Sequence, residues 1–348
     1  MTSSDQKQKR FTAVVGMPKF LLPWIDRFYE PAEIDLALAL GKRPATVSEI
    51  AKHFRGAKNR KTSIEVKAML ERGYKRGTLN RQADNRYEPA EFHARYEIWA
   101  LFEGWQDIPE EIHRRLNKWE MAAYTKKHRR DVTAVRKSKR DPASVCPEYV
   151  LLNEAEALLD KVDHVFLWPC NCRAMVEGCR KPVNTCLRFN NDRELGWEIS
   201  KSRALAILRE ADQAGLMHSA EIGLTVDGTI DGAICNCCAD CCFPHQLAEQ
   251  QGAQKIWPLT RFVARRLKER CTVCGRCARR CPFDAFRIRR APQKGSSEVK
   301  PKKRPGKQIV FYRDLCRGCG VCATGCPEDA IEMIPLNDNR SLWDKISG

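Results

Sequence analysis

The sequence lacks long apolar stretches, and its first 145 residues contain no cysteine. No apolar run approaches the roughly 20 residues that a membrane-spanning helix needs, so we expect no membrane span. The start, MTSSDQKQKRF, is polar and has no apolar core of the kind found in export signals, which leads us to expect a cytoplasmic protein. In that reducing compartment, clustered thiols are typical of metal ligands rather than of disulfides.

The sequence also lacks the short motifs of common enzyme sites. It has no glycine-rich dinucleotide fingerprint after a predicted strand, no phosphate-binding loop and no clear pairing of a nucleophile with a base. These absences favour a binding or electron-transfer protein over a chain that is a catalyst by itself. They leave open a catalytic role for a metal centre.

The 18 cysteines divide the chain, because all of them lie between Cys146 and Cys326. The full length of 348 residues allows two or three domains, each large enough to bury a core. We therefore distinguish a cysteine-free front end, a middle region with clustered cysteines, and a cysteine-rich tail.

Two runs in the tail, CTVCGRCARRCP (271–282) and CRGCGVCATGCP (316–327), share the spacing C-x2-C-x2-C-x3-C-P. That spacing is the signature of bacterial two-cluster ferredoxins, which the tail resembles over about residues 257 to 336. The resemblance implies two [4Fe–4S] clusters, and it makes zinc the less favoured occupant. By the family pattern, one cluster would be held by Cys271, Cys274, Cys277 and Cys326. The other would be held by Cys316, Cys319, Cys322 and Cys281.

The tail departs from the ferredoxin pattern in two respects. A basic insertion at 287–308, rich in proline, glycine, serine and lysine, indicates a flexible loop. The cluster-binding runs also carry cations: Arg276, Arg279, Arg280 and Arg317. Because a cluster gains negative charge on reduction, nearby cations should raise its reduction potential.

The middle region holds two further groups of cysteines. VFLWPCNCRAMVEGCRKPVNTCLRF (165–189) contains Cys170, Cys172, Cys179 and Cys186, and GAICNCCADCCFPH (232–245) contains Cys235, Cys237, Cys238, Cys241 and Cys242. CNCR and CNCC each follow a predicted apolar strand, so we expect the fold to bring the two strand ends together.

Several metal assignments remain open for these middle-region thiols. Two [4Fe–4S] clusters need eight cysteines and would leave one spare. Either each group serves one cluster, or the groups are crossed, since adjacent Cys237 and Cys238 could point to different metals. The pattern resembles a group of multi-cluster iron–sulfur proteins that end in a ferredoxin domain, over about residues 146 to 336. Zinc or a mixed site is the alternative. His245 and Cys146 could each be an extra ligand, or simply a packed histidine and an inert thiol.

The front end resembles the winged helix-turn-helix family over about residues 30 to 90. A first helix is followed by TVSEIAKHF (46–54), by KTSIEVKAMLERGY with Ile64, Ala68 and Leu70 expected inward, and by two predicted short strands. In that family the second helix of the motif enters the major groove of DNA. The resemblance implies candidate contacts at Lys58, Asn59, Arg60, Lys61 and Lys67.

Positive charge is in excess, with a net charge of +17. The stretch 113–140 holds eleven lysines and arginines against two acids. Such a stripe suits nucleic acid, and it equally suits an acidic partner protein. The neighbouring aromatic stretch, FHARYEIWALFEGWQDIPEEI, indicates either an interface or an ordinary helical core.

We predict an α+β multidomain protein with four segments. They are a winged-helix-like domain (1–92), a basic and aromatic helical segment (93–145), an α/β cysteine-rich domain (146–256) and a ferredoxin-like two-cluster domain (257–348). The expected function is relay of single electrons to or from a partner oxidoreductase that is acidic and flavin- or metal-dependent. The alternatives are an iron–sulfur-sensing DNA-binding regulator and catalysis at a middle cluster with an open iron position.

Overall fold

The computed structural model describes residues 3–55, 61–104, 108–139, 147–225, 228–290 and 306–336. The chain divides into two compact units. The first comprises Met1–Ala123, Ala174–Val176 and Asn191–Leu195, and the second comprises Tyr124–Arg173, Glu177–Asn190 and Gly196–Gly348. Lys58, Asn59, Arg60 and Cys146 lie outside the described residues, as does 291–305 of the basic insertion.

The first unit is mainly helical. Its helices are α1 (Ser3–Val15), α2 (Ile25–Phe28), α3 (Pro31–Leu40), α4 (Val47–Arg55), α5 (Ser63–Lys75), α6 (Phe92–Phe102) and the beginning of α7 (Glu110–Arg136). A 3-10 turn, Lys19–Trp24, precedes α2. Between α5 and α6, the strands β1 (Leu79–Arg81) and β2 (Tyr87–Pro89) pair antiparallel. Three helices followed by a two-stranded ribbon is the order that the sequence predicted, whereas membership of the winged-helix family stays a prediction.

A capping box fixes the residue at which α5 begins. Thr62 Oγ1 accepts from the Glu65 amide at 3.2 Å, and the Glu65 carboxylate accepts from the Thr62 amide at 2.7 Å. This capping box fixes the helix at its first turn. With that start, Val66 and Leu70 are buried while Ile64 is 82% exposed. The predicted inward position is therefore correct for Leu70 and wrong for Ile64 and Ala68, both exposed.

An ion-pair network lies beneath α6. The Arg95 side chain is fully buried, and its guanidinium donates to Glu103 Oε1 at 2.7 Å and to the Phe28 carbonyl at 2.6 Å. Arg76 donates to Glu103 Oε2 at 3.0 Å. Burial alone would raise the pKa of the Glu103 carboxyl, but hydrogen bonds and charge from Arg95 and Arg76 outweigh it, and the pKa is lowered.

We expect Glu103→Gln to destabilise the first unit by about 2 kcal/mol at neutral pH, because it leaves buried Arg95 without its anion. The folded pKa of Glu103 is below its unfolded value. Its contribution is therefore fully present above the unfolded pKa of about 4.3 and is lost as the pH falls through the folded pKa. Hydrogen exchange of the α6 amides at pH 7 and at pH 3 measures this. A difference between variant and wild type of equal size at both pH values would contradict it.

A matched control for Glu103→Gln is Glu71→Gln on α5. Glu71 pairs with Lys67 at 3.8 Å, and both side chains are more than half exposed. An exposed pair of this kind contributes only a few tenths of a kcal/mol. The control variant should therefore exchange its α6 amides at the wild-type rate.

The second unit contains a six-stranded antiparallel sheet with the order β3-β7-β8-β5-β4-β6. Its strands are β3 (Glu148–Tyr149), β4 (Phe166–Pro169), β5 (Asn184–Arg188), β6 (Trp197–Glu198), β7 (Met217–Leu224) and β8 (Ile230–Cys237). The helices of this part are α8 (Leu152–Asp160), α10 (Lys201–Gln213) and α11 (Phe243–Gln251), together with the first three residues of α9 (Asn171–Val176). Leu158 of α8 and Ile207 of α10 pack in one buried core with Leu187 and Ile234 of the sheet.

The sheet order positions the middle-region cysteines. The central strand β5 lies between β4 and β8, with Trp168 opposite Cys186 and Leu187 opposite Ile234. Cys170 follows the end of β4, and Cys237 ends β8. The expectation that the two strand ends come together is thereby confirmed.

The last part of the second unit is built around two antiparallel pairs of short strands. The strand β9 (Phe262–Arg266) pairs antiparallel with β12 (Ile331–Pro335), and β10 (Phe286–Arg290) pairs antiparallel with β11 (Lys307–Phe311). Two short helices, α12 (Arg276–Arg280) and α13 (Val321–Thr324), fall within the two cysteine runs. The prediction of a flexible loop is wrong at the two ends of the insertion, where residues 287–290 pair with residues 307–310 as strands. The buried side chains of Phe286 and Ile309 hold these strands against the core.

The helices show no membrane-crossing character. Among the described residues, none of them is both long enough and apolar enough to span a bilayer.

Candidate metal centres

The tail brings its eight predicted ligands together in two sets of four. Cys271, Cys274, Cys277 and Cys326 line one cavity, together with Gly275 and Arg266. Cys281, Cys316, Cys319 and Cys322 lie close enough that the charges of Cys281 and Cys316 act on the other two. In each set, the fourth cysteine of one run joins the first three of the other run.

The two cysteine runs also share backbone details. The amide of Ala285 donates to Cys281 Sγ at 3.3 Å, and the amide of Ala330 donates to Cys326 Sγ at 3.3 Å. Such amide–sulfur hydrogen bonds orient a thiolate ligand and tune the metal that it holds. Gly318 has φ of +70°, and a Cβ there would lie 2.2 Å from the Phe262 carbonyl oxygen. Only glycine fits this position, where the second run wraps against β9.

Burial strongly affects the tail thiols. It raises the pKa of Cys277 to about 11 and that of Cys319 to about 12. Thiolates therefore form there only when a cation compensates their charge. Sulfur-only sets of four, buried and backed by amides, suit [4Fe–4S] clusters, which are held by cysteine thiolates.

Six of the middle-region thiols form a closed ring, in which each is close enough to affect the pKa of the next. In order around the ring they are Cys170, Cys172, Cys242, Cys237, Cys235 and Cys186. The Phe243 amide donates to Cys172 Sγ at 3.4 Å. The pKa of Cys170 is lowered, first by its neighbours Cys172 and Cys186.

The other three thiols form a separate group, called the triad below. Cys179, Cys238 and Cys241 have Sγ atoms that all lie within 4.8 Å of one another. This grouping has the form of the crossed division, because Cys179 of the first sequence group joins Cys238 and Cys241 of the second.

Arg173 lies between the ring and the triad. Its side chain is buried, and its guanidinium donates to the Asn236 carbonyl at 2.6 Å and to Thr185 Oγ1. Cys170, Cys186 and Cys238 raise its pKa, and burial opposes them. Sequence reasoning missed this residue, although the signal was present: Arg173 directly follows Cys172 in CNCR.

A buried apolar cluster connects the ring with the tail. It contains Cys237 and Cys242 of the ring, Cys319 of the tail, and the side chains of Tyr149 and Met217. Both Cys319 and Cys242 raise the pKa of Tyr149, after the larger effect of burial. The ring and the second tail set therefore share one dry, apolar environment.

His245 packs beside this connection. Its ring stacks on Phe283 with centroids 5.5 Å apart, and its Nε2 lies 3.1 Å from the Tyr149 hydroxyl. The His245 side chain is buried, so these ring contacts are its immediate surroundings. The packed-histidine alternative therefore accounts for its surroundings better than a ligand role does.

Two of the four arginines in the tail runs are neutralised by acids. Arg280 pairs with Asp212 at 3.1 Å, and Arg317 pairs with Glu249 at 2.7 Å. Arg276 and Arg279 are exposed, where water screens their charge. The expected rise in reduction potential from these cations is thus weaker than their number indicates.

Comparison with known protein families finds one match. Residues 270–331 match the model of the 4Fe-4S dicluster domain. Neither the curated proteins nor the solved structures include a match to the chain. Together with the cysteine sets, the family match identifies an iron–sulfur protein with [4Fe–4S] clusters and a ferredoxin-like C-terminal part, and it supports a role in electron transfer.

Proposed function

We propose that this chain relays single electrons between a partner oxidoreductase and an iron–sulfur cluster in its middle region, through two clusters in its tail. The observation that carries the proposal is the apolar cluster in which Cys237 and Cys242 lie with Cys319. Electron transfer between centres slows steeply with distance, so centres that share one packed core are suited to exchange electrons.

The tail sets supply the ligands for two clusters in this proposal. One is Cys271, Cys274, Cys277 and Cys326, and the other is Cys281, Cys316, Cys319 and Cys322. Four or more of the ring cysteines hold the third cluster. When bound, [4Fe–4S] clusters supply one-electron redox chemistry over a wide range of potentials. The chain's own residues bind the clusters, exclude water and set the local charge.

The partner is proposed to dock near Cys274. This thiol is exposed, whereas the ring cysteines are buried or half-buried. Two exposed cations lie near it in the chain, Arg276 and Arg279, and Arg279 Nη1 donates to the Cys274 carbonyl at 3.3 Å. A basic rim of this kind steers an acidic protein to the surface and speeds its association at low salt. The proposed order is therefore partner, first tail set, second tail set, ring.

Anaerobic reduction followed by rapid freezing tests the relay. A flash-generated reductant should first reduce the exposed tail cluster, and electron paramagnetic resonance should then show the electron reaching a middle-region cluster. Iron content gives the parallel measure, with about twelve irons per chain for three cubes. About eight irons per chain, with no redox signal from the middle region, would contradict the relay. That result would still agree with two clusters in the ferredoxin-like tail.

Docking is tested by reversing charge near Cys274. The double variant Arg276→Glu, Arg279→Glu should slow electron uptake from a reduced acidic flavoprotein such as a flavodoxin, most strongly at low ionic strength. The matched control is the double variant Lys42→Glu, Lys52→Glu, which changes the net charge by the same amount at two exposed positions of the first unit. Equal slowing of electron uptake in both variants would show that net charge alone governs the rate, and it would contradict docking near Cys274.

We expect Arg173→Gln to lower the reduction potential of the middle cluster by about 60 mV or more, because a buried cation that favours the reduced form is lost. Redox titration followed by electron paramagnetic resonance measures the shift. Arg180→Gln is the control, since it removes the same charge from an exposed position. A similar shift in both variants would contradict a specific effect of Arg173.

The DNA-binding alternative gains no support from the described part of α5. Its exposed side chains include Glu65, Glu71 and Ile64. The exposed cations Lys67, Arg72 and Lys75 pair with Glu71, Glu30 and Glu194 respectively. A helix that approaches phosphates needs a predominantly basic face. This mixed face suits contact with a protein better than contact with DNA.

A further inference from the structure

The spacing of the triad differs from what a cubane cluster requires. Cys179 Sγ and Cys238 Sγ are 3.7 Å apart, and all three sulfurs lie within 4.8 Å of one another. In a tetrahedral zinc site with Zn–S bonds of about 2.3 Å, neighbouring sulfurs are about 3.8 Å apart. Around a cubane each cysteine binds a different iron, which holds the sulfurs farther apart. The triad therefore has the spacing of ligands that share one ion.

The surroundings of the triad balance the charge of such a site. Three thiolates and one divalent ion carry a net charge of −1. The buried guanidinium of Arg173 lies beside Cys238 and offsets this charge. In addition, the Cys241 amide donates to Cys238 Sγ at 3.4 Å, an outer contact that orients a thiolate ligand.

Water can reach the triad from one side. Cys238 and Cys241 are buried, but Cys179 is half-buried, and its chain neighbours Gly178 and Arg180 are exposed. Zinc with three protein ligands commonly takes water as the fourth. The open edge at Cys179 is where such a ligand would bind.

We propose that Cys179, Cys238 and Cys241 bind a single zinc ion, separate from the iron–sulfur clusters, with water as the fourth ligand. The site goes beyond the electron relay and does not depend on it. It also explains why the middle region has more cysteines than a single cube needs.

Metal analysis of matched cysteine variants tests this assignment. The protein is purified without oxygen, and zinc, iron and acid-labile sulfide are measured per chain. Wild type should contain about one zinc. Cys241→Ser and Cys179→Ser should lose the zinc and keep the iron and sulfide. The control, Cys186→Ser in the ring, should keep the zinc and lose part of the iron.

X-ray absorption at the zinc edge gives a second readout. It should show three sulfur neighbours at about 2.3 Å and one lighter atom. Retention of zinc in both triad variants, or a zinc-free wild type that loses iron in Cys241→Ser, would overturn the proposal. Cys179→Ser is the control for misfolding. Because Cys179 is half-buried, its replacement should leave the fold intact, and an unchanged iron content of this variant would show that it has. Zinc content does not depend on electron flow, so failure of the relay leaves this result unchanged.

Discussion

Removal of iron from the protein should unfold its ferredoxin-like part while the N-terminal helices stay folded. The core of that part is small: its buried apolar side chains include Val263, Phe286, Ile309 and Ile331, and Cys277, Cys316 and Cys322 complete it. Without iron those thiols bind nothing, and the free energy of metal binding, which stabilises the fold, is lost. So small a core cannot keep the chain ordered alone.

Hydrogen exchange read by mass spectrometry, segment by segment, is the measurement for this expectation. After anaerobic chelation, segments from 261 to 290 and from 306 to 336 should lose most of their protection. Segments of α3 and α6 should keep theirs, which makes them the internal control. Reconstitution with iron and sulfide should restore the protection. Unchanged protection of the tail segments after chelation would show that apolar packing alone holds this part together.

Arg261→Met should be the most destabilising single substitution outside the cysteines. Arg261 Nη1 and Nη2 each donate to one Glu154 carboxylate oxygen at 2.9 Å, and its Nε lies 3.5 Å from Glu148 Oε2. The Arg261 and Glu148 side chains are less than a tenth exposed. Methionine would leave two carboxylates without this cation, at a cost of about 3–5 kcal/mol. For a unit of this size, that corresponds to a melting temperature lower by about 10 °C.

Two further variants sharpen the Arg261 experiment. Arg261→Lys keeps the charge but not the two-pronged geometry, so its stability should fall between those of wild type and Arg261→Met. Arg265→Met is the matched control four residues along the chain, because Arg265 pairs with Glu332 at the surface. Exposed pairs contribute at most about 1 kcal/mol. Thermal unfolding followed by circular dichroism should show the largest loss for Arg261→Met, a smaller one for Arg261→Lys and the smallest for Arg265→Met. Equal losses for the two methionine variants would show that burial does not govern the effect.

The ligand sets of the tail were predictable from the sequence, because the spacing of its cysteines is that of two-cluster ferredoxins. The runs at 271–282 and 316–327 indicated which thiols should gather, and a family model matches the same region. The middle region was only partly predictable. Two apolar strands ending in cysteines indicated that the thiols converge, but the strand order that places β5 between β4 and β8 depends on long-range pairing.

The full division of the middle-region thiols could not be derived from spacing, although the adjacency of Cys237 and Cys238 indicated that these two thiols could serve different metals. Adjacent Cys237 and Cys238 belong to the ring and to the triad respectively, because Cys237 ends β8 and Cys238 starts the turn that leads to Cys241. The inward face predicted for α5 was wrong at Ile64, because the face that the fold buries carries Val66, Leu70 and Gly73. Periodicity gave the helix, while the Thr62 cap determined its first turn.

The uneven exposure of the cysteines determines which metal centre is oxidised first in air. Molecular oxygen and peroxide attack thiolates and clusters that solvent reaches. The set that includes exposed Cys274 is therefore the first to be damaged, while the ring, with Cys237 and Cys242 deep in an apolar core, is the last. A protein that has lost the cluster of this set would still hold its buried clusters, and under the proposed relay it would lose the entry point for electrons.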